Sequence, residues 1–347
     1  MPSMSGGTSA MAGPAPDREY PAEERTLLDV TDLTVSFRRR DGAPVRVVDR
    51  VSMRLARGRA VALVGESGSG KSVAMRALLG LLPDTAIVGG TARFGDGDRT
   101  QDLIGMSDRQ LRRLRGRRIG MVFQNAMDAL NPTLTLERQL CEPLLWHGIC
   151  DRKEASRRAV RALGNVGIAD PERRVRMYPF QLSGGMRQRA MIAVAMIARP
   201  DVLIADEPTT AVDVTVQHQI LGLLSELKAA GTAIVMITHD LGVARYFCDD
   251  ITVLYAGQVM EHTTMAAFDA GPRHPYSQGL LGSALDVDEL SELRPIPGQP
   301  PDMAALPTGC RFQPRCAMAE ESKCGVPQTL VRSGAAELRC AVVTDRD

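Results

Sequence analysis

Short, largely apolar runs separated by longer amphipathic segments set the rhythm of this 347-residue chain. Val61–Val64, Ile119–Phe123, Val202–Ala205 and Ala233–Thr238 are compact enough to read as strands buried on both faces. Between them lie helical patterns. One is Val73–Leu82, ended by Pro83, and another opens at Gln181–Arg189 and runs to Arg199. A third, Gln217–Ala230, is stopped by Gly231. Strands alternating with helices predict an α/β frame around a parallel sheet. Upstream, Leu27–Phe37 and Val45–Leu55 flank an Asp41-Gly42 turn and predict two antiparallel strands. Gly89–Asp98 reads as turns between short strands, and Thr135 to about Pro179 as mostly helix with a break at Asp170-Pro171. Ile251–Tyr255 and Gln258–Glu261 close the frame, and from about residue 265 the composition shifts to Pro, Gly and Cys. The expected organisation is a disordered tail over 1–25 and an α/β unit over 26–264 with a helical insertion at about 125–180. A small Cys-containing region over 265–347 completes it.

The run Val61–Val64 ends abruptly in Gly65, and Gly65, Glu66, Ser67, Gly68, Ser69, Gly70, Lys71 and Ser72 fill G-x-x-x-x-G-K-[ST] at every fixed position. Such a match arises by chance in about one chain in a hundred of this length. Glycines let several backbone N–H groups turn toward one anion, and the following helix N-terminus adds partial positive charge. Lys71 would reach the β- and γ-phosphates, and the Ser72 hydroxyl would be a magnesium ligand. The chain holds four lysines among its 42 basic residues, so a lysine at this position stands out against arginine usage. These features predict nucleotide binding.

Composition narrows the setting. Forty-two basic and 41 acidic side chains leave a net charge of +1, which argues against a surface that coats nucleic acid. Arg109–Arg118 carries six arginines, but no aromatics interleave for base stacking, so it reads as a solvated helix face. The longest apolar stretches, such as Met191–Ala198, fall far short of the ~20 residues of a membrane helix. No basic segment precedes an apolar core near the N-terminus, and seven cysteines without an export signal point to a reducing compartment.

Downstream of the loop, an apolar strand ends in Asp206-Glu207. Asp206 is expected to hold magnesium through water, and Glu207 to orient or deprotonate the attacking water. His239 ends the next apolar strand, where it could hydrogen-bond the γ-phosphate, and Gln124 ends another, where it could contact magnesium or water. Phe37 either stacks on adenine or fills a strand-end core position.

Leu182-Ser183-Gly184-Gly185-Met186, taken with these motifs and in this order, resembles the signature of the ATP-binding subunits of ABC transporters, with Met186 where that family has Gln. Gln124 matches the family's Q-loop, Ala211-Val212-Asp213 its D-loop and His239 its switch histidine; Val212 stands where Leu is usual. The resemblance spans roughly Leu27–Glu261. It implies a P-loop ATPase core with an antiparallel β subdomain, in which Ser183 and the Gly184 and Gly185 amides bind the ATP of a partner subunit across a dimer interface. Asn131-Pro132, Glu207–Gln217, His274-Pro275-Tyr276 and the C-terminal cysteines look like the dipeptide/oligopeptide/nickel importer branch, D type. That branch implies ATP hydrolysis powering import of peptides, or of nickel. It also implies a second, different ATPase subunit, two transmembrane permease subunits, an extracytoplasmic peptide-binding protein, and a place on the cytoplasmic face of the membrane. A soluble ABC ATPase acting on DNA or ribosomes is the rival; it calls for a long coiled coil or two cassettes in one chain, and neither is seen.

Cys310, Cys316, Cys324 and Cys340 are spaced x5, x7 and x15. Four thiolates suit zinc or an iron–sulfur cluster, but the short C-x₂₋₄-C pairs usual for zinc are missing. The tail Gly309-Cys310-Arg311-Phe312, then Pro314-Arg315-Cys316, resembles family tails associated with a [4Fe–4S] cluster. The cluster is therefore the expectation, ahead of zinc and of unliganded thiols. Cys141, Cys150 and Cys248 are expected to be ordinary thiols.

Overall fold

The computed structural model describes residues 26–40, 42–125, 129–210, 212–283 and 295–345. The expected tail over 1–25, Asp41 of the expected turn and Ala211 lie outside the described residues. Two sheets form the frame. The first is antiparallel, in the order β2-β1-β4-β5, from β1 (Thr26–Phe37), β2 (Val45–Ala56), β4 (Ala86–Phe94) and β5 (Gln101–Asp102). The second has a parallel centre formed by β3 (Ala60–Val64), β6 (Ile119–Val122), β7 (Val202–Asp206), β8 (Ala233–Ile237) and β9 (Asp250–Tyr255). Antiparallel β10 (Gln258–Thr264), β11 (Val331–Ser333) and β12 (Ala336–Leu338) extend it, giving β11-β12-β10-β9-β3-β8-β7-β6.

The runs Val61–Val64, Val202–Ala205 and Ala233–Thr238 are buried at every position, as strands covered on both faces must be, whereas Met121 and Phe123 of the run on edge strand β6 are half-buried. Their side chains alternate between two cores. Val61 and Leu63 face the antiparallel sheet together with Leu33, Val35, Met75 and Phe94, whereas Ala62 and Val64 face the helical side with Leu140, Leu163, Ile192 and Leu221. The P-loop strand is thus locked from both faces.

The segment expected as turns, Gly89–Asp98, is largely strand: β4 pairs along β1. The glycines that suggested turns are there because the strands approach closely. Gly90 has φ +95°, and a Cβ there would lie 2.5 Å from the Asp32 carbonyl oxygen, beside the register shift between Thr31 and Thr34. The helix expected from Gln181 starts later. Pro179–Gln181 is a 3₁₀ turn, and the α-helix runs Gly184–Met196 with Ser183 as its cap, the hydroxyl accepting from the Met186 amide. The helical stretch consists mainly of Leu136–Trp146 and Arg152–Asn165, capped by Thr135 and Asp151, and packs Leu136, Leu140, Leu144, Ala155, Ala159 and Leu163 inward.

The C-terminal stretch is built onto the frame. β12 pairs with β10, and the Arg339 amide donates to the Met260 carbonyl. Among the described residues no helix is long and apolar enough to cross a membrane.

Candidate functional site

In a parallel sheet the C-terminal strand ends share one edge, and ligands bind there. Register places the predicted residues along that edge. Leu63 of β3 pairs with Ile237 of β8, and Asp206 of β7 pairs with the same Ile237; Val122 of β6 pairs with Ala205. The phosphate loop, His239, Asp206-Glu207 and Gln124 therefore follow neighbouring strands.

The loop is shaped by contacts that exclude side chains. Gly65 has φ +146°, and a Cβ there would lie 2.0 Å from the Leu254 carbonyl oxygen; at Gly70 it would meet the Val47 carbonyl at 2.8 Å. Helix Lys71–Leu78 starts directly after this bend. The Lys71 ammonium is folded into the loop, donating to the Gly65 and Glu66 carbonyls at 2.7 and 2.9 Å and to the Ser69 hydroxyl at 3.1 Å. Burial pushes its pKa down, against the opposing pull of Glu207, Asp206 and Glu66.

The Ser72 hydroxyl donates to Asp206 Oδ1 at 2.9 Å, so the two groups expected to organise magnesium meet. Asp206 is 1% exposed and its Oδ2 is buried without a hydrogen-bond partner. Burial raises its pKa, with the Ser72 hydrogen bond and Arg76 opposing. A buried, unpaired carboxylate oxygen is costly unless a cation or its water shell completes it, and a hydroxyl plus a carboxylate is a hard oxygen donor set. These residues fit Mg²⁺.

Glu207 sits on a left-handed backbone, φ +51°, a conformation uncommon for a residue with a Cβ and frequent at functional turns. Its amide donates to the Ile237 carbonyl. Thr210 donates its hydroxyl to Oε2 at 3.1 Å, and His239 Nδ1 lies 3.4 Å from Oε1. The carboxylate is thus oriented by two neighbours, one of them the exposed His239 ring. Gln124 is exposed two residues beyond β6. Phe37 ends β1 and packs, partly buried, against the antiparallel-sheet core. Ser183 and Gly184 are exposed at their helix start, and a Cβ at Gly184 or Gly185 would meet nothing within 4 Å.

The four tail cysteines converge. Cys310, Cys316, Cys324 and Cys340 line one small cavity with His274, Phe312, Met318 and Val342. A Cβ at Gly309 would lie 2.0 Å from the Cys324 carbonyl oxygen, so glycine is what lets the Cys310 and Cys324 segments touch. Burial pushes the Cys310 thiol up to about 11. His274 is buried, and its Nδ1 accepts from the Tyr276 amide. The four thiols share this one cavity. Among the described residues no group of three or more His, Cys, Asp or Glu is placed to hold a metal ion. Cys141 and Cys248 are buried and Cys150 half-buried, all three as free thiols.

The sequence gives no local sign that Arg315 contacts Glu66 of the loop, that Tyr255 backs Arg315 or that Thr210 contacts Glu207. Arg315 and Tyr276 stand inside motifs of the family resemblance, and nothing local marks them as neighbours of Glu66.

Comparison with known proteins agrees with this geometry. The family model for ABC transporters matches residues 48–210, and that for the oligopeptide/dipeptide transporter C-terminal region matches residues 260–324. The chain is 46% identical over 305 residues to the oligopeptide transport ATP-binding protein OppD of Salmonella typhimurium, covering 87% of this chain and 90% of that one. It is 46% identical over 295 residues to the dipeptide transport ATP-binding protein DppD of Bacillus subtilis, covering 84% and 86%. Among solved structures, the dimeric post-hydrolysis state of the ATP-binding cassette MJ0796 bound to ADP and Pi superposes with a TM-score of 0.62. The sequence identity there is 29%, covering 69% of this chain and 99% of that one.

Proposed function

The chain belongs to the ABC transporter ATPases, in the oligopeptide/dipeptide branch, and on that premise we propose that it hydrolyses ATP to power import of peptides across the cell membrane. The observation that carries the reading is the single sheet edge bearing the phosphate loop, the Ser72–Asp206 pair and the Glu207–His239 pair. Nickel is the second cargo for this branch; the 46% identity to peptide-transport subunits favours peptides.

In this reading Lys71 leaves its carbonyl partners for the β- and γ-phosphates, and the loop amides of residues 66–72 surround them. Ser72 and Asp206 would hold Mg²⁺, with Gln124 placed to contact the ion or the water, and the ion would supply neutralisation of phosphate charge. Glu207 accepts a proton from the attacking water, and His239 steadies Glu207 and contacts the γ-phosphate. Phe37 is packed at the end of β1 against the sheet core, which favours its core role over adenine stacking. Ser183, Gly184 and Gly185 present a helix N-terminus to the nucleotide of a second, different ATPase subunit, so that two ATPs join the dimer. Glu207→Gln tests the central role. Hydrolysis should fall about 10²–10⁴-fold while ATP binding persists and the closed dimer accumulates. Unchanged turnover would remove Glu207 from catalysis.

The partners of this reading are that second ATPase, two transmembrane permeases and an extracytoplasmic peptide-binding protein, with the chain on the cytoplasmic face of the membrane. Exposed Trp146, 70% accessible, borders a groove with Arg115, Asn131 and Gln139 that suits a permease segment. The proposed division is an ATPase unit over 26–264, with its helical insertion at about 125–180, and a Cys-containing region over 265–347.

For the cysteines the proposal is a [4Fe–4S] cluster, supported by four thiols at one cavity. Held there, it would cross-link separated stretches of the tail. Anaerobically purified protein should carry about four irons and four acid-labile sulfides per chain. Stoichiometric zinc without iron would replace the cluster by the zinc reading.

A further inference from the structure

Glu66, the second residue of the phosphate loop, is gripped from outside the loop by the C-terminal region. Arg315 Nη1 donates to Glu66 Oε2 at 2.7 Å and Nη2 to Oε1 at 3.0 Å, a two-pronged fork. The guanidinium is itself fixed. Its Nε donates to the Pro297 carbonyl at 2.8 Å, Nη1 also reaches the Tyr255 hydroxyl at 3.3 Å, and the group lies over the Tyr255 and Phe312 rings. The Arg315 side chain is 5% exposed. The fork with Glu66 is the leading cause holding its pKa above the usual arginine value.

The backbone of Glu66 is held as well. Its amide donates to the Tyr276 hydroxyl at 2.9 Å, and its carbonyl accepts from Lys71. The backbone of one residue thus joins the C-terminal region to Lys71, the residue that must reach the phosphates. Pro300, Pro301 and Met303 of the same region line a pocket against Glu66, Ser67, Gly68 and Ser69. Further along the loop, Ser69 accepts at its carbonyl from the Gly257 amide, whose neighbour Ala256 accepts from Arg311.

From this geometry we infer that Arg315 is a positioning residue for the phosphate loop: its fork holds Glu66 in place and neutralises a carboxylate that would otherwise oppose the incoming phosphates. The first effect is steric, since loop amides serve an anion only when their directions are preset. The second is electrostatic, since a free carboxylate beside an anion site repels the ligand. Lysine would keep the charge but not the fork. The inference rests on the nucleotide-binding reading above. Its effect falls on ATP affinity rather than on the water-activating carboxylate, because Arg315 touches the loop and not Glu207.

The test uses the full chain with its cysteine site as purified, and compares wild type, Arg315→Gln, Arg315→Lys and Arg315→Gln/Glu66→Gln. ATP hydrolysis gives KM and kcat, and direct titration with ATP gives Kd. Arg315→Gln should raise Kd and KM for ATP about tenfold, equivalent to about 1.4 kcal/mol, with kcat within about twofold of wild type. Adding Glu66→Gln should recover at least half of the lost affinity on a logarithmic scale, because the stranded carboxylate is gone. Should Arg315→Gln not be recovered folded, Arg315→Lys carries the test with an expected rise of about threefold. Unchanged Kd in folded Arg315 variants, or a double variant weaker than Arg315→Gln alone, overturns the inference. Failure of the wild type itself to bind ATP would instead overturn the nucleotide-binding reading.

Discussion

Asp206 and Glu207 are adjacent carboxylates in opposite situations. Asp206 is buried against Ser72 with one oxygen unpaired, whereas Glu207 turns out on a left-handed backbone toward His239 and Thr210. The first environment suits a cation and the second a water, so the proposed division of labour follows from burial. Two outcomes belong at this scale. Lys71→Ala should weaken ATP binding by about tenfold or more, because the loop loses its only ammonium, and equilibrium binding of labelled ATP checks it. Asp206→Asn should leave a Mg²⁺-dependent activity that needs a much higher ion concentration, read from hydrolysis against titrated Mg²⁺. These residues were legible in the sequence because a glycine-rich loop and a strand ending in Asp-Glu are local patterns. Arg315 was not legible as a loop contact, because its partner lies 249 positions away and no short motif joins them.

At the scale of elements, buried runs such as Val202–Ala205 announce themselves by unbroken apolarity, and strands of this kind occupy the centre of the sheet. Strand β4 escaped the reading because Gly89 and Gly90 look like a turn, when they mark where two backbones come within contact. The helix after the signature was read from Gln181, although Ser183 is its cap, since boundaries depend on one side-chain hydrogen bond that periodicity does not encode. Gly65→Ala places a Cβ against the Leu254 carbonyl and should cost about 2–4 kcal/mol, lowering both Tm and nucleotide affinity. Asp151→Ala removes only the cap on the Glu154 amide, 2.8 Å away, and should cost about 1 kcal/mol in denaturant unfolding while ATP hydrolysis is unchanged.

At the scale of the whole molecule, the C-terminal region both gathers four cysteines and grips the phosphate loop, so it belongs to the nucleotide site as much as to the tail. Fold class and family follow from the order of separated motifs. The union of tail and loop needed three dimensions, because it is made by contacts between the ends of the chain rather than by any repeat or period. Transport is a property of the assembly, and the account stands on energy flowing from this chain's ATP site to movement of peptide. The most direct measurement is ATP-dependent uptake of a labelled peptide into vesicles. They would contain this chain with its co-purified membrane subunits, second ATPase and binding protein, and would be compared with vesicles carrying Glu207→Gln. The account predicts uptake and peptide-stimulated hydrolysis with the wild-type chain and strong loss of both with the variant. Peptide uptake that proceeds equally with Glu207→Gln, or hydrolysis that never responds to peptide, would contradict it.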